Sequence, residues 1–267
     1  KQVFDRLNNK IKEDPNDSLI VVTGDITHEK CVLSPQQIDL LNDFFVGLSN
    51  ITDCIVIIGN HDINPQQNSI DSISPILKNM HTKHKIHLLL DDTLYIYNNI
   101  IFGVTTMFTK EITPCTLETD KIKIALYHGT LKNIVNDKNI LLSEKHSFKS
   151  ADFLQYYDLL MLGDIHSFQY TDTHKRSAYA SSLIQQNIGE DLVNHGVLKW
   201  DLTTLKSKFI PIKNDYGYVK INVDKNGIKP DNKSSIPKYP TIYLYYDNIT
   251  LSEAEKLADE LRKVYKA

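Results

Sequence analysis

Cysteine is scarce in this sequence: among the 267 residues there are only Cys31, Cys54 and Cys115. Three thiols cannot form the disulfide framework that stabilises many small secreted domains. Cys54 also lies inside an apolar run that is typical of a buried strand. We therefore expect reduced thiols in an intracellular protein of the cytoplasm or the nucleus.

Long apolar segments and a strong charge of one sign are also missing. Spanning a bilayer takes roughly 18–20 consecutive apolar residues, and no stretch of this chain approaches that length. The formal net charge is −3, so the chain has no overall basic character. These features predict no membrane association, and any contact with nucleic acid would have to be local or supplied by a partner.

The sequence does contain four apolar runs that each end in a residue able to bind metal or move a proton. Strands buried on both faces are continuous apolar runs, and open α/β sheets bind ligands at the carboxyl ends of such strands. Core packing alone does not explain Asp, Asn or His at all four ends. The four junctions are Leu19–Thr23 before Gly24-Asp25, Val56–Ile58 before Gly59-Asn60-His61-Asp62, Ile122–Tyr127 before His128-Gly129, and Leu159–Leu162 before Gly163-Asp164-Ile165-His166.

The residue types at these ends indicate a metal centre. Carboxylate and amide oxygens combined with imidazole suit Mn²⁺, Fe²⁺ or Zn²⁺, whereas all-oxygen sites suit Ca²⁺ or Mg²⁺ better. A carboxylate can bridge two cations about 3.5–4 Å apart, the arrangement used for displacement at phosphorus. His61 follows Asn60 directly and can remain a non-ligand that stabilises the transition state or protonates the leaving oxygen. Each junction alone would be a turn or a helix cap more often than a ligand, and their joint occurrence favours the metal centre.

The remaining pattern predicts one large domain with a small appendage. Residues 209–267 contain an alternating strand from Tyr216, and Thr250-Leu251-Ser252-Glu253 fits a capping box that opens a helix. The chain begins inside an amphipathic helix from Lys1 to Lys12, although a doubly wound fold should place a strand before it. We therefore expect the sequence to be a fragment that lacks this strand.

The ordered motifs resemble those of the calcineurin-like metallophosphoesterases, whose sequence of motifs is matched by all four junctions. Within that superfamily, the stretch Gly24–Lys30 and the block Tyr179–Gln186 resemble the SbcD/Mre-type DNA repair nucleases. The resemblance implies an α/β protein, a four-layer α/β/β/α sandwich over residues 1–208 that lacks its first strand. It also implies a small α+β capping domain over residues 209–267.

The resemblance further implies a role for each site residue. Asp25 would bridge two divalent cations. Mn²⁺ is the expected metal, with Mg²⁺, Fe²⁺ and Zn²⁺ as alternatives. His61 would be the catalytic histidine, Asp62 would hold the loop in place, and His28 would either support the site or contact substrate. The remaining ligands would be Asn60, His128 and Asp164 at one cation and His166 at the other.

This chain departs from the family pattern in two places. The family's first motif, Asp-x-His, supplies two ligands to the cation shared with His166, and it is absent from the sequence. We expect it on the strand that should precede Lys1. Asp164 stands where the family usually has histidine, and its added negative charge would favour harder ions such as Mn²⁺ or Mg²⁺.

The predicted function is metal-dependent hydrolysis of phosphodiesters in DNA, as an exonuclease and single-strand endonuclease in DNA repair. The resemblance implies a homodimer and a partner, an SMC-like ATPase of the SbcC/Rad type. Two alternatives stay open. One is a phosphodiesterase or phosphatase acting on small nucleotides, and the other is a catalytically degenerate scaffold that recruits an ATPase.

Other histidines, lysines and tyrosines are predicted to be structural or solvent-exposed. His81, His84 and His87 recur every third residue, but they cross from a helix end into a strand and share no face. The appendage tyrosines are expected in the core and in cross-strand pairs, with a base-stacking platform as the alternative. The loop cations are expected to be solvated, although as a group they could contact phosphates and make binding salt-dependent. The residues concerned are the surface histidines His146, His174 and His195, the loop cations Lys132, Lys138, Lys145, Lys149, Lys175 and Arg176, and the tyrosines Tyr216, Tyr218, Tyr243, Tyr245 and Tyr246.

Overall fold

A computed structural model describes residues 1–13, 18–30, 32–64, 66–67, 70–135, 140–142, 148–224, 227–228 and 236–265. Cys31, Lys138, Lys145 and His146, named above, lie outside these ranges. The described helices are α1 Gln2–Lys12, α2 Pro35–Ser49, α3 Ser74–Lys78, α4 Ser150–Leu154 and α5 Leu251–Tyr265. The described strands are β1 Ile20–Thr23, β2 Cys54–Ile57, β3 Ile86–Leu88, β4 Leu94–Tyr97, β5 Ile100–Thr105, β6 Ile122–His128, β7 Ile134–Val135, β8 Leu141–Leu142, β9 Leu159–Gly163, β10 Gln169–Tyr170, β11 Ser177–Tyr179, β12 Gly196–Asp201, β13 Lys206–Pro211, β14 Tyr216–Asp224, β15 Gly227–Ile228 and β16 Tyr239–Tyr246.

The first sheet is parallel and has the order β1-β2-β3. Its central strand β2 is buried on both faces, which explains its continuous apolar sequence. Cys54 and Val56 pack with helices α1, α2 and α3, whereas Ile55 and Ile57 pack toward the second sheet. The helix α2 begins at a capping box, because the Ser34 hydroxyl accepts from the Gln37 backbone N–H and the Gln37 side chain accepts from the Ser34 N–H.

The second sheet has the order β10-β11-β9-β6-β5-β4. Its strands β5, β6, β9 and β11 are parallel, and the strands at its two edges, β4 and β10, are antiparallel to their neighbours. On β6, Ile124 and Leu126 face the first sheet, whereas Ala125 and Tyr127 pack on the side of helix α4. The carboxyl ends of β6 and β9 lie side by side, with His128 opposite Gly163.

The layers therefore run from helices α1 to α3 through the first sheet and the second sheet to helix α4. This arrangement confirms the predicted mixed α/β sandwich, with parallel and mixed sheets. The hairpin of β12 and β13 adds apolar side chains to the cores on both faces of the first sheet: Val197 and Ile210 join the helix side, and Trp200 joins the side between the sheets. None of the described helices has the length and apolar character that crossing a membrane requires.

The C-terminal part of the chain forms a separate three-stranded sheet, in which β14 pairs in parallel with β16 and antiparallel with β15. Helix α5 covers one face of this sheet, where Val219, Ile221 and Val223 pack with Leu261. We refer to β14–β16 and α5 as the cap; the division of the chain at residue 208 stays a prediction. The contacts between this part of the chain and the sandwich include two short hydrogen bonds. Arg6 donates to the carboxylate of Asp215, just before β14, at 2.8 Å, and the Tyr218 N–H donates to the Gln185 side chain at 2.7 Å.

The expectation that the appendage tyrosines lie in the core was wrong for four of them. Tyr216, Tyr243, Tyr245 and Tyr246 are between 45% and 57% exposed. Aliphatic residues occupy the face that α5 covers, so Tyr216, Tyr243 and Tyr245 fall on the opposite, open face. Ring contacts do join the two strands, with Tyr216 and Tyr239 centroids 5.1 Å apart and Tyr218 and Tyr243 centroids 6.2 Å apart.

Candidate metal centre

Two carboxylates leave their strands through unusual backbone turns. Asp25 has φ 52° and Asp164 has φ 98°, and Gly24 before Asp25 has φ 90°. Non-glycine residues in this region cost about 1–3 kcal/mol each and cluster at functional sites. Both aspartates follow strands whose carboxyl ends lie at the same rim of the sandwich, so the turns bring their side chains together.

The His128 imidazole is enclosed by three glycine backbones. A Cβ atom on Gly24 would lie 2.5 Å from His128 Nδ1, one on Gly163 would lie 2.6 Å from the same atom, and one on Gly59 would lie 2.6 Å from Cε1. Real Cβ contacts are never this short, so the close approach requires glycine at each position. The Gly-Asp and Gly-Asn pairs of the sequence therefore reflect space around one ring.

Asp25, His128 and Asp164 offer ligand atoms that all lie within 4.8 Å of one another, and we refer to these three residues as the metal group. His128 Nε2 lies 3.2 Å from Asp25 Oδ1 and 3.1 Å from Asn60 Oδ1. Two atoms that each lie about 2.1 Å from one cation, at adjacent positions, are about 3 Å apart. The donor set and its spacing thus fit a divalent cation held by these four side chains.

The tautomer of His128 also fits a metal ligand. Its Nδ1 lies 2.7 Å from the Thr23 carbonyl oxygen, an acceptor, so Nδ1 carries a proton and Nε2 is directed to the carboxylates. Burial would raise the pKa of Asp25, but the hydrogen bond and charge of His128 outweigh it and lower this pKa. Burial would lower the pKa of His128, and the Asp25 carboxylate reverses this effect. A cation at this position would replace the Nε2 proton.

His61 is held beside this group without joining it. Its backbone N–H donates to Asp25 Oδ1 at 3.0 Å. Its Nδ1 donates to the His28 carbonyl oxygen at 2.8 Å, and the His28 and His61 rings stack at 5.2 Å. His28 thus orients the His61 ring through a carbonyl and a ring face, which leaves His61 Nε2 as the nitrogen free of this hydrogen bond.

Asp62 is fully buried and ties the first two junctions together. Its Oδ1 accepts from the N–H groups of Ile26 and Thr27 at 2.9 and 2.8 Å, and its Oδ2 accepts from Gly59 at 2.8 Å. Burial raises the pKa of Asp62 and these backbone hydrogen bonds oppose the rise. The geometry is that of a side chain that holds the Asp25 and Asn60 loops in register.

Thr130 and Tyr179 support the site and were not identified from the sequence. Thr130 donates to Asp164 Oδ2 at 2.6 Å, which leaves Oδ1 for the metal group. The buried Tyr179 hydroxyl donates to the Gly129 carbonyl at 2.7 Å and accepts from the Leu131 N–H at 2.9 Å. Burial raises the pKa of Tyr179, so this phenol stays neutral and fixes the loop after His128.

His166 lies outside the 4.8 Å group and contacts Glu190, a third supporting residue that was not identified from the sequence. Its Nδ1 is 2.9 Å from Glu190 Oε1, and the Glu190 side chain is only 2% exposed. The N–H of Gln186 and the amide of Asn187 also donate to this carboxylate. Glu190 lies a few residues after the Tyr179–Gln186 block. An acidic residue so close to that block is the sequence signal that could have identified it as a supporting residue.

A pocket of about 420 Å³ opens beside the metal group. The segment from Met107 to Lys110, between β5 and β6, forms part of the wall of this pocket. This role was not predicted from the sequence. The lining consists of Asn60, Met107, Phe108, Thr109, Lys110, Tyr127, His128, Gly129, Thr130, Phe148 and Asp164.

The remaining histidines behave differently from one another. His84 Nδ1 and His87 Nε2 each lie 3.7 Å from a different oxygen of Asp53, away from the metal group. The prediction that His195 is a surface residue was wrong, because it is 4% exposed. Its Nε2 donates to the Asp191 carbonyl at 2.6 Å, and its Nδ1 lies 2.9 Å from the Ser182 hydroxyl. His195 therefore stabilises the loop before β12.

A comparison with known protein families identifies the family of this chain. The calcineurin-like phosphoesterase family matches residues 1–168, and the chain belongs to that family. Membership implies a metal-dependent phosphoester hydrolase with a two-cation site, in agreement with the Asp25, His128 and Asp164 group.

A more particular relative comes from a virus. The chain is 38% identical over 279 aligned residues to "Uncharacterized protein R555" of Acanthamoeba polyphaga mimivirus. The alignment covers 99% of this chain and 20% of that protein, so the chain spans about a fifth of the length of this relative.

Proposed function

We propose that this chain is a nuclease that hydrolyses phosphodiesters in DNA, as an exonuclease and single-strand endonuclease of the SbcD/Mre type. The observation that carries the proposal is the gathering of Asp25, His128 and Asp164 at one rim, with Asn60 Oδ1 3.1 Å from His128. DNA as the substrate is supported by the resemblance of the Gly24–Lys30 and Tyr179–Gln186 stretches to those nucleases.

Two divalent cations, Mn²⁺ before all, suit the donors. Asn60, His128 and Asp164 would hold one, His166 would belong to the other, and Asp25 would be shared. Bound cations lower the pKa of water and offset charge on the phosphoryl oxygens. Carboxylate and amide oxygens beside imidazole favour Mn²⁺, and Asp164 in place of histidine strengthens the preference for a harder ion.

The protein's own groups would orient these donors and move one proton. The Nδ1–H of His61 donates to the His28 carbonyl oxygen, so Nε2 is the nitrogen that would face substrate. This ring would stabilise the charge that develops in the transition state, or donate the Nε2 proton to the leaving oxygen. The same residue donates its backbone N–H to Asp25, so a hydrogen bond joins the catalytic histidine to the residue that would be the shared ligand.

A homodimer, an SMC-like ATPase partner of the SbcC/Rad type and a role in DNA repair belong to the same proposal. Their support is the resemblance alone. Copurification with such an ATPase and light scattering of the purified protein test them separately from catalysis.

The direct test measures Mn²⁺-dependent cleavage of labelled single-stranded and duplex oligonucleotides, with a chelator as the blank. Asn60→Ala and His128→Ala should abolish cleavage while the circular dichroism spectrum stays unchanged. His61→Ala should still bind Mn²⁺ in calorimetry and lose most turnover, about 10²–10⁴-fold. Asn99→Ala, at an exposed position between β4 and β5, is the matched control. Full metal-dependent cleavage by Asn60→Ala would refute the assignment.

The rival functions give different results in the same assay. A phosphodiesterase for small nucleotides would turn over cyclic or linear mononucleotide esters and leave oligonucleotides intact. A scaffold without catalysis would hydrolyse neither class, in Mn²⁺, Mg²⁺, Fe²⁺ or Zn²⁺.

A further inference from the structure

The lining of the pocket beside the metal group combines two kinds of residue. Asn60, His128 and Asp164 are candidate metal ligands. The lining also includes Phe108, Phe148 and the cationic Lys110, and we refer to the two phenylalanines as the aromatic wall. Its volume of about 420 Å³ falls in the range of roughly 300–1,000 Å³ that is usual for small-ligand sites. Such a wall has no use for a bare phosphate group, because phosphate offers no apolar surface.

The ring of Phe148 is a fixed part of this wall. It packs edge-on against Tyr127, with centroids 5.6 Å apart, and against Phe153, with centroids 5.5 Å apart. Tyr127 and Phe153 both belong to the buried core beside α4. Phe148 is only half-buried, so part of its surface remains available to a ligand in the pocket.

Phe108 is the opposite case, a large aromatic ring that is 47% exposed beside a polar site. Leaving a phenylalanine exposed forgoes the gain of burial, and its place in a pocket wall suggests a ligand that covers it. The Phe108 segment is anchored at both ends. At its start the Thr106 N–H donates to Asp92 at 2.6 Å, and at its end Thr113 donates to the Val104 carbonyl at 2.7 Å.

We propose that this pocket receives one unpaired base of a nucleic acid whose phosphate lies at the Asp25, His128 and Asp164 group. The base packs against Phe108 and Phe148, and the Lys110 ammonium contacts a neighbouring phosphate. The proposal rests on the proposed nuclease function and adds a substrate requirement to it. Every base has a flat π face, so stacking on aromatic side chains tolerates any sequence.

The consequence for substrate choice follows from base pairing. The faces of a base within a duplex are already covered by its neighbours, and a base must leave the stack before it can enter a pocket. Single strands and frayed ends present such bases without this penalty. The pocket therefore selects unpaired nucleotides, independently of how the phosphate is cleaved.

The first experiment compares a normal single strand with the same strand carrying one abasic site, cleaved by the wild-type protein and by Phe108→Ala. We expect kcat/KM at the scissile phosphate to fall about tenfold when the base is absent. We expect the same fall in Phe108→Ala on the normal strand and no further fall on the abasic strand. Phe108→Trp should retain wild-type rates, and Ile96→Ala, an exposed apolar truncation on β4, is the control. Equal rates for the two strands in all variants would overturn the base pocket while leaving the nuclease function intact.

The second experiment reads binding without cleavage. An oligonucleotide with 2-aminopurine at the scissile position is titrated with the His61→Ala protein in Mn²⁺, with and without Phe108→Ala. Quenching of the 2-aminopurine fluorescence should be lost with Phe108→Ala, whereas Lys110→Ala should reduce the slope of affinity against salt by about one. If no DNA is cleaved but 2-aminopurine monophosphate is quenched, the base pocket stands and the nuclease function fails. Absence of quenching with either ligand overturns the pocket.

Discussion

The Nδ1 atom of His166 lies 2.9 Å from the Oε1 atom of Glu190. Because the carboxylate is an acceptor, the imidazole proton sits on Nδ1 and the lone pair of Nε2 points away from Glu190. Glu190 is itself held by the Gln186 N–H at 2.7 Å and is almost completely buried. A buried carboxylate that fixes the tautomer of a candidate ligand is a positioning residue, in the manner of the partners that orient metal-bound histidines in other proteins.

Replacement of Glu190 should therefore weaken cation binding at the His166 side of the site. Loss of such a partner costs about 10–100-fold in metal affinity. Glu190→Ala should show this loss in Mn²⁺ calorimetry, and Glu190→Gln, which keeps an acceptor oxygen without the charge, should recover part of it. Glu255→Gln, an exposed change on α5, is the control. Unchanged Mn²⁺ affinity in Glu190→Ala would mean that Glu190 only stabilises its own loop.

A methyl group at Gly59 should disrupt the site from within. A Cβ there would collide with the Asp25 carboxylate and backbone nitrogen and lie 2.6 Å from His128 Cε1. Overpacking of this kind costs about 1–3 kcal/mol of folding stability, and Mn²⁺ binding should be lost together with cleavage. Denaturant unfolding and calorimetry measure the two effects. Gly47→Ala in α2, whose Cβ meets only the flexible Asn8 amide, should retain metal binding; loss in that variant as well would point to a general folding defect.

Asp62 should prove important for folding and for the site at the same time. Asp62→Ala leaves the N–H groups of Ile26, Thr27 and Gly59 without their acceptor. Buried donors left unpaired cost about 1–3 kcal/mol each before relaxation, so the free energy of unfolding should fall by several kcal/mol. Asp39→Ala, exposed on α2, should change it by less than about 0.5 kcal/mol. A stable Asp62→Ala protein with normal Mn²⁺ affinity would contradict this role.

The Arg6–Asp215 contact between the sandwich and the cap should give a pH-dependent contribution to stability. The hydrogen bond and charge of Arg6 lower the pKa of Asp215. A lowered carboxyl pKa stabilises the fold above the unfolded value of about 3.9, and this stabilisation is lost as pH falls through the lower folded value. Asp215→Asn should thus lower the free energy of unfolding at pH 7 by less than about 1 kcal/mol, because the pair is partly solvated. Near pH 2 the same substitution should leave the free energy of unfolding almost unchanged. Unfolding curves at both pH values test this, with Asp120→Asn as the control; an equal loss at both would contradict it.

The residues at the strand ends could be predicted because the pattern that reveals them is local in the sequence. A strand buried on both faces must be apolar throughout, so a polar residue directly after it, such as Asp25 or His128, stands out in the sequence. The sheet then brings these ends to one rim regardless of the chain between them. Thr130 and Glu190 do not follow a buried strand in this way, and their contacts with Asp164 and His166 are hydrogen bonds that only the folded loops create.

The exposure of individual side chains was harder to predict than the chemistry of the candidate site. The alternation in β14 separates Val219 and Ile221 from Tyr216, but it does not say whether a second layer covers the tyrosine face. Helix α5 covers the aliphatic face in the described structure. His195 was missed for a related reason: its burial depends on the Ser182 and Asp191 loops, which are neighbours only after folding.

Thr23 fixes the tautomer of His128 and also links the two sheets of the sandwich. Its carbonyl oxygen accepts from His128 and its hydroxyl donates to the Leu162 carbonyl at 3.2 Å, so one residue of the first sheet is bonded to two strands of the second. Asp25 belongs with the first sheet, and His128 and Asp164 belong with the second. A cation bound among them would act as a cross-link between the halves of the sandwich. The melting temperature of the protein should therefore rise in proportion to the logarithm of the Mn²⁺ concentration.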